Sequence, residues 1–449
     1  MSSTLLKLDR DIGLFQATGT NILSMVGVGP FLTIPVMLSA MGGPHILYAW
    51  LLGALIALCD GLVYAQLGAA LPGSGGPYVY LREAYKSFGF GKLLSFVFIF
   101  QIILTAPLSI AGGAVGFADY LGFYWQDMPP WQHHGIAASV CIAMTALVYR
   151  PIKSIGRISM IMLAVVMLTL GWVIVAGGIK ADWHAAFDWP ASAFRFDGDF
   201  FAKIGTVSLL AMYNYGGYNT ICNIGEEVKE PHKTIPRAIV LSIVIVVTLY
   251  VLISSSMLGL VPFDELVHTK TVASVFIRHA FSNAQTGELA ARIMTALILF
   301  VTATSLYALI LGYSRIPFAA ARDGQFFKVF GKLHEKHHFP HVSLLVIGAV
   351  SLPFCFFSLG KLVAWLMQIQ ILVQFIWQCA GVMLLHRYRK DIPQPFTMWL
   401  YPIPALFALS MWSYVFVTSP LEGILFAVGF FVVAVFAYGL FRKLPHAEP

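Results

Sequence analysis

Charged residues are scarce in this chain of 449 residues, and their scarcity excludes an ordinary soluble fold. Asp, Glu, Lys and Arg together make up 11% of the sequence, whereas 58% of it is hydrophobic. A soluble domain carries roughly 25% charged residues. With so few charges, a water-exposed surface would contain large apolar patches. We therefore expect lipid to be the main solvent of this protein.

Sequence motifs for catalysis and for metal binding are few. The chain contains no GxSxG or P-loop pattern. Its five cysteines are an odd number without CxxC spacing, so they indicate neither a disulfide framework nor a zinc site. His334, His337, His338 and His341 include one match to the HExxH spacing, at residues 334–338, but no Cys or Asp accompanies them. Beside Lys332 and Lys336 they fit a solvated loop better than a metal site. We expect a protein that is not an enzyme and that uses no metal and no cofactor.

Long apolar stretches are what the sequence has in abundance. A helix that spans a bilayer needs about 20 apolar residues, and we predict twelve such spans, near residues 12–40, 45–71, 93–118, 132–149, 157–179, 200–225, 237–261, 290–314, 341–360, 362–385, 398–419 and 421–441. Spanning segments must be helices or barrel strands, and these are too long and too apolar to be strands. The prediction is an all-α membrane protein with twelve transmembrane helices.

Basic residues predict the orientation of these helices. With the amino terminus placed in the cytoplasm, 21 of the 28 Lys and Arg residues fall on the cytoplasmic side and 7 on the opposite side. This split follows the positive-inside rule, so both termini are expected in the cytoplasm. The net charge of +7 is then explained without a nucleic-acid partner. We expect a multi-pass protein of a bacterial-type inner membrane, surrounded by lipid.

Glycines interrupt two of the predicted spans near their middle. The first span contains the run Met25, Val26, Gly27, Val28 and Gly29, followed by Pro30, and the sixth contains Tyr213, Asn214, Tyr215, Gly216, Gly217 and Asn219. Proline removes a backbone donor and glycine permits unwinding. Gly27 lies 15 residues after residue 12, and Gly216 lies 16 residues after residue 200. We therefore expect the two breaks at the same depth in their spans.

Interrupted spans five positions apart indicate an inverted repeat, in which spans one to five and six to ten are related by a pseudo-two-fold axis in the membrane. The predicted transport core covers residues 12–385, and two peripheral helices follow across 386–441. Short cytoplasmic tails, 1–11 and 442–449, complete the predicted organisation.

The interrupted segments also predict the binding site. Backbone exposed at this depth must line a cavity. The N-terminal end of a half-helix can hold a carboxylate through its free N–H groups. The carbonyl groups that lose their helical partners at a break can hold an ammonium group. We predict that eleven residues of the two breaks bind a zwitterionic cargo. They are Met25, Val26, Gly27, Val28, Gly29, Tyr213, Asn214, Tyr215, Gly216, Gly217 and Asn219. The alternative is that the glycines only permit close packing between helices.

Asp60 is the one carboxylate in the middle of a predicted span. An ionisable group at this depth is costly and is by default a functional hypothesis, so we predict that Asp60 couples transport to protons. The alternative is a protonated carboxyl that only bonds to a neighbouring helix.

Hydroxyl and amide side chains in two later spans are further candidates for the transport pathway. Thr302 and Ser305 in the eighth span could contact the cargo or an ion. Gln370, Gln374 and Gln378 recur every four residues and predict one polar face on the tenth span. That face either lines the pathway, with Gln370 as the candidate, or joins neighbouring helices; joining is slightly favoured.

Four segments of the sequence resemble a known family. They are Gly27–Phe31, Tyr64–Leu81, the run from Tyr215 to Asn219 with Glu226–Pro231 and Ile235–Arg237, and the pair of Ser314–Arg315 with Ala321–Gly324. Together they resemble the amino acid-polyamine-organocation (APC) superfamily, and the third resembles its L-type amino acid transporters. The resemblance covers almost the whole chain. It implies the LeuT-type fold, with broken helices 1 and 6 in a 5+5 inverted repeat and two further C-terminal helices.

Three departures from the family bear on mechanism. L-type relatives usually carry a Lys in the fifth helix, where this chain has Val166, and the common Glu after Tyr-Ala is Gln66. Asp60 resembles instead the carboxylate of plant polyamine-uptake transporters. The resemblance implies a secondary active transporter for amino acids or polyamines, working by alternating access with proton coupling. An ion-independent exchanger and a nontransporting nutrient receptor are the alternatives, and no obligatory protein partner is indicated.

Overall fold

The computed structural model describes residues 10–27, 29–73, 75–125, 127–149, 155–189, 195–335 and 339–443, without the side chains of 155–161. Val28, His337, His338 and most of both tails lie outside the described residues. The α-helices of the described chain are α1 (Leu14–Met25), α2 (Gly29–Met41), α3 (Leu47–Ala70), α4 (Pro77–Ala84), α5 (Gly91–Leu121), α6 (Pro130–Val148), α7 (Ile155–Lys180), α8 (Trp183–Phe187), α9 (Gly198–Tyr215), α10 (Pro231–Leu258), α11 (Phe263–His268), α12 (Val272–His279), α13 (Ala284–Arg322), α14 (His341–Phe354), α15 (Leu359–Gln370), α16 (Ile376–Tyr388), α17 (Ile403–Thr418) and α18 (Leu421–Lys443).

Seven of these helical segments are long and apolar enough to cross a membrane. They are Pro44–Ala70, Gly91–Leu121, Met162–Lys180, Pro231–Leu258, Ala284–Arg322, Leu359–Tyr388 and Leu421–Lys443, and the bent pair α1 and α2 makes an eighth. Helices α14 and α17 are apolar but shorter. The protein is therefore an all-helical, multi-pass membrane protein. The total of twelve spans stays a prediction that depends on α6, α9, α14 and α17.

Several predicted boundaries differ from the helix ends in the structure, and three of these differences have a cause in the local sequence. The ninth span ends at Phe354 rather than at residue 360, because Pro353 lies in its last turn and the next helix has already begun at Leu359. The eleventh begins at Ile403 rather than at residue 398, directly after Pro402 at its N-cap. The third difference is at the second break.

The first break separates α1 from α2. Helix α1 ends at Met25, and α2 begins at Gly29 with its axis inclined by 48° to that of α1. The N–H of Val26 still donates to the Ile22 carbonyl at 2.7 Å, while the backbone at Val26 is already extended. The interruption thus lies where the first span was predicted to break.

The second break lies at the end of α9. This helix has 18 residues, against 12 for α1, so the helical segments before the two breaks differ in length, and equal depth in the membrane stays a prediction. Gly217 adopts a φ of +114°, and the chain continues as 3₁₀ turns at Thr220–Asn223 and Gly225–Glu227 rather than as α-helix. Two consecutive glycines explain the difference, because glycine disfavours helix and readily takes positive φ.

Helices α3 and α5 form the centre of the packing. Helix α3 packs against α9, α10 and α17, while α5 packs against α13, α14 and α15. Backbone hydrogen bonds of Ile12 with Glu227 and Lys229, at 3.0 and 2.9 Å, tie the start of α1 to the turns after α9. The two interrupted segments are thereby held side by side.

Candidate functional site

The two breaks are in direct contact. A methyl group added at Gly217 would lie 2.8 Å from both the backbone and the side chain of Ser24 in α1. The positive φ of Gly217 and this close approach both require glycine. Nearby, the Asn21 side-chain oxygen accepts a 3.0 Å hydrogen bond from the N–H of Ile221. The end of α1 therefore packs directly on the backbone that follows α9.

Asn214 joins α9 to the second half of the first span. Its amide nitrogen donates to the hydroxyl of Thr33 in α2 at 2.8 Å and to the Leu210 carbonyl at 2.7 Å. Among the described residues its side-chain oxygen is buried without a hydrogen-bond partner, and a methyl group added at Gly29 would lie 2.2 Å from it. This unpaired acceptor points at the start of α2, between the two breaks.

Helices α5 and α13 border the breaks. A methyl group added at Gly27 would lie 3.3 Å from the Ser305 hydroxyl, and one added at Gly112 in α5 would lie 3.8 Å from the Tyr213 hydroxyl. Ser305 and Tyr213 are both partly exposed. Thr302 is fully buried, and its hydroxyl donates to its own helix at the Ile298 carbonyl. Ser305 is thus the candidate of the eighth span that the structure brings to a break.

Polar side chains follow one face of α1 toward the first break. Gln16, Thr20 and Ser24 are spaced by four residues, and each is exposed or partly exposed. The hydroxyls of Thr20 and Ser24 donate to carbonyls one turn earlier, at 2.9 and 3.0 Å. A polar stripe of this kind suits contact with water better than contact with lipid.

The glutamines of the tenth span differ in their hydrogen-bond partners. The span contains a π-helical turn at Ile371–Phe375, which includes Gln374. Gln374 donates to the Tyr64 hydroxyl at 2.7 Å and accepts from Gln101 at 3.0 Å. Gln378 donates to the Pro77 carbonyl at 2.8 Å. Gln374 and Gln378 thus join neighbouring helices, which is the role that the sequence analysis slightly favoured. A pathway role for the half-buried Gln370 stays a prediction.

Asp60 is completely buried and is surrounded by neutral donors. One carboxyl oxygen accepts from the Tyr218 hydroxyl at 2.5 Å. The other accepts from the indole N–H of Trp412 at 3.1 Å and from the Cys379 thiol at 3.3 Å. These donors come from the turn after α9, from α17 and from α16. Asp60 therefore links the second break to the last helices, and its oxygens are occupied by groups of the protein itself.

Several important residues were not identified from the sequence. Tyr218 lies inside the glycine segment that was singled out, and its direct contact with Asp60 was missed. Trp412 carried a usable signal, since tryptophan favours the membrane interface and this one lies in the middle of α17. Tyr250, whose hydroxyl contacts both breaks, carried no usable signal in the sequence. The eleven predicted binding residues stay predictions, with Val28 outside the described part.

Apposed helix breaks inside a multi-pass bundle are the arrangement of a membrane transporter. The family described as amino acid permease matches residues 12–441 of the chain. The chain is 26% identical over 412 residues to the branched-chain amino acid permease BcaP of Bacillus subtilis, which covers 87% of this chain and 83% of that one. It is 25% identical over 419 residues to the serine/threonine exchanger SteT of the same organism, covering 90% and 89%. It is 27% identical over 425 residues to the large neutral amino acids transporter small subunit 2 of Mus musculus, covering 92% and 76%.

The match to the family extends over nearly the whole chain, so the protein belongs to the amino acid permease family of the APC superfamily. It is an amino acid transporter and not an enzyme. This agrees with the resemblance found in the sequence.

Proposed function

We propose that the protein is a secondary active transporter that carries a neutral amino acid by alternating access and couples its movement to protons through Asp60. In this proposal the cargo binds between the two breaks. The observation that carries it is the contact between them, where Gly217 meets Ser24 and the unpaired side-chain oxygen of Asn214 points at Gly29. A free acceptor beside the N–H-rich start of α2 suits the ammonium and carboxylate groups of an amino acid.

Asp60 supports a neutral cargo over a polyamine. A second ammonium group would need a carboxylate with a free oxygen, because a buried unpaired charge is costly. Both oxygens of Asp60 already accept hydrogen bonds from Tyr218, Trp412 and Cys379. The three relatives named above are also described by neutral amino acids in their names.

Asp60 is also well placed for proton coupling. Tyr218 follows Gly217 directly, so a change in the protonation of Asp60 changes a hydrogen bond of the segment that forms the second break. An ionised carboxylate accepts from Tyr218, whereas a protonated one can donate to the phenol oxygen. Proton uptake thus has a short physical route to the cargo site.

The proposed topology has twelve spans with both termini in the cytoplasm. Helices α6, α9, α14 and α17 supply the four spans beyond the eight apolar segments. Four further crossings keep the number of spans even. An even number is required because the distribution of basic residues places both termini on the same side. The polar stripe from Gln16 to Ser24 then faces the cytoplasm and supports an access path from that side.

The test is uptake into proteoliposomes that contain the purified protein. Labelled leucine, serine, lysine and putrescine are offered with and without an inward proton gradient. We expect accumulation of a neutral amino acid that is saturable and that disappears when a protonophore collapses the gradient. Preferential uptake of putrescine would contradict the neutral cargo.

An ion-independent exchanger is the second candidate. The observation in its favour is the sealed environment of Asp60, which has no exposed surface. An exchanger would show counterflow from loaded vesicles and no response to the proton gradient. A nontransporting receptor would bind the amino acid and show neither response.

A further inference from the structure

Two of the five cysteines are in contact where α6 packs against α14. The Sγ atoms of Cys141 and Cys355 are 3.5 Å apart, and both side chains are fully buried. The Cys355 thiol donates to the Ser351 carbonyl at 3.5 Å, so its sulfur is left as an acceptor for the Cys141 thiol. The two cysteines are 214 positions apart in the chain, and no spacing in the sequence predicts this pair.

Close packing of the two helices holds the thiols opposite each other. A methyl group added at Gly348 in α14 would lie 2.6 Å from the Thr145 hydroxyl oxygen in α6, so glycine permits a close approach there. Thr145 lies one turn beyond Cys141 along α6. On the other side of the pair, the His134 ring contacts the Cys355 carbonyl at 3.0 Å. These flanking contacts fix the register of α6 against α14, and the two sulfurs face each other as a result.

The position of Cys355 makes the pair accessible to an oxidant while the protein folds. Cys355 lies in the turn directly after α14, and the next residue, Phe356, is largely exposed. In the proposed topology α6 is the fourth span and α14 the ninth, so the start of α6 and the end of α14 both lie on the side opposite the cytoplasm. Disulfides form and persist on that side of a bacterial inner membrane.

We propose that Cys141 and Cys355 form an intramolecular disulfide that joins α6 covalently to α14. This inference goes beyond transport and rests on the proposed topology. One thiolate attacks the disulfide of an oxidant and forms a mixed disulfide, and the second thiolate then displaces the remaining sulfur of the oxidant. The cysteine pair loses two protons and two electrons, and the oxidant leaves as two thiols.

Bond formation requires only a local adjustment of the structure. An S–S bond is about 2.05 Å long, so the two sulfurs must approach from their separation of 3.5 Å. Cys355 belongs to a turn, and a turn shifts more readily than the interior of a helix. Once formed, the bond is sealed from water, because both side chains have no exposed surface. Burial then protects the disulfide from soluble reductants.

The test counts free thiols in the wild-type chain, so it does not depend on the folding of a variant. Bacterial cells that produce the protein are quenched with acid, and all thiols are alkylated with N-ethylmaleimide under denaturing conditions before purification. The pair takes two of the five cysteines, so intact-mass spectrometry should show three alkylated cysteines, and five when reduction precedes alkylation. Five alkylated cysteines without reduction would overturn the proposal.

Cys141→Ala and Cys222→Ala are the matched variants. Cys222 is also buried, but its thiol donates to the Tyr64 carbonyl at 3.8 Å. Loss of Cys141 should release Cys355 and give four alkylated cysteines without reduction, whereas loss of Cys222 should keep the disulfide and give two. Equal numbers in the two variants would overturn the pairing of Cys141 with Cys355.

Uptake measurements separate this inference from the proposed function. Helices α6 and α14 pack on each other, on α5 and on α13, so we expect Cys141→Ala to take up amino acid at nearly the wild-type rate. Its melting temperature should lie several degrees below that of Cys222→Ala, because a cross-link between distant positions restricts the unfolded chain. Absence of saturable uptake by the wild-type protein would overturn the proposed function, whereas the thiol count alone decides the disulfide.

Discussion

Replacement of Asp60 by asparagine tests the coupling proposal at one position. Asparagine keeps the shape of the side chain and one acceptor oxygen, which can still accept from Trp412 and Cys379. Its amide nitrogen can donate to the phenol oxygen of Tyr218, whose role reverses from donor to acceptor. Asp60→Asn thus resembles the protonated carboxyl. Because the Tyr218 O–H proton then loses its buried acceptor, we expect Asp60→Asn to be about 1–3 kcal/mol less stable than wild type.

Asp60→Leu is the matched comparison. Leucine has a similar size but accepts no hydrogen bond, so the Tyr218 hydroxyl and the Trp412 indole N–H lose their acceptor in a fully buried site. Each unsatisfied donor costs about 1–3 kcal/mol, which gives a loss of roughly 2–6 kcal/mol. The leucine variant should therefore melt well below the asparagine variant. If the two variants have the same melting temperature, the hydrogen bonds of the three donors to Asp60 do not stabilise the protein.

The functional assay separates exchange from accumulation. Proteoliposomes with Asp60→Asn should exchange internal for external amino acid, because the cargo site is unchanged. They should not accumulate cargo when a proton gradient is imposed, since the fixed neutral amide carries no proton. Accumulation that still follows the gradient in this variant would refute the assignment of Asp60 as the proton site. Loss of binding would instead place Asp60 in contact with the cargo.

Three further predictions concern the breaks, the cytoplasmic surface and the topology. Gly217→Ala should lower both uptake and melting temperature, because its methyl group would lie 2.8 Å from Ser24. The control is Gly178→Ala, which has open space around it and should be neutral. Equal melting temperatures of the two variants would contradict the contact between Gly217 and Ser24. Burial alone would raise the pKa of Glu83, but hydrogen bonds from Arg389 and another arginine outweigh it and hold the pKa below its usual 4.5. This carboxylate stabilises the fold above that pH and loses the effect as the pH falls through its folded-state pKa. In a plot of melting temperature against pH, Glu83→Gln should therefore fall less steeply than wild type on the acid side. An unchanged slope there would argue against this role of Glu83. A cysteine placed within the first nine residues should resist impermeant thiol reagents in intact cells, and periplasmic labelling would reverse the orientation.

Helix positions could be predicted from the sequence because lipid imposes a length and an apolar composition on each span. The first break was also predictable, since two glycines and Pro30 leave few alternatives to unwinding. Local sequence was less informative about the packing after Gly217, which lies directly against Ser24 of α1. Such a contact joins residues far apart in the chain, and single-sequence patterns do not contain it.

The partners of Asp60 illustrate the same limit. Its depth in α3 could be read from the sequence, but Tyr218, Cys379 and Trp412 lie 158, 319 and 352 positions away along the chain. No spacing rule connects residues at such separations. Tyr250 was missed for a related reason, because its hydroxyl contacts backbone carbonyls, and carbonyls have no sequence identity.

Neutral donors, rather than cations, hold the polar groups at the centre of this protein. Asp60 accepts from a phenol, an indole and a thiol, and the carbonyls of the two breaks share the Tyr250 hydroxyl. Loss of one partner from a buried ion pair costs about 3–5 kcal/mol, whereas one neutral hydrogen bond contributes about 0.5–1.5 kcal/mol to stability. In the proposed alternating-access cycle the same helices separate and rejoin repeatedly, which favours contacts of the second kind. In the proposed mechanism, a change in the protonation of Asp60 rearranges such contacts, because Tyr218 is a hydrogen-bond partner of Asp60 and belongs to the segment of the second break.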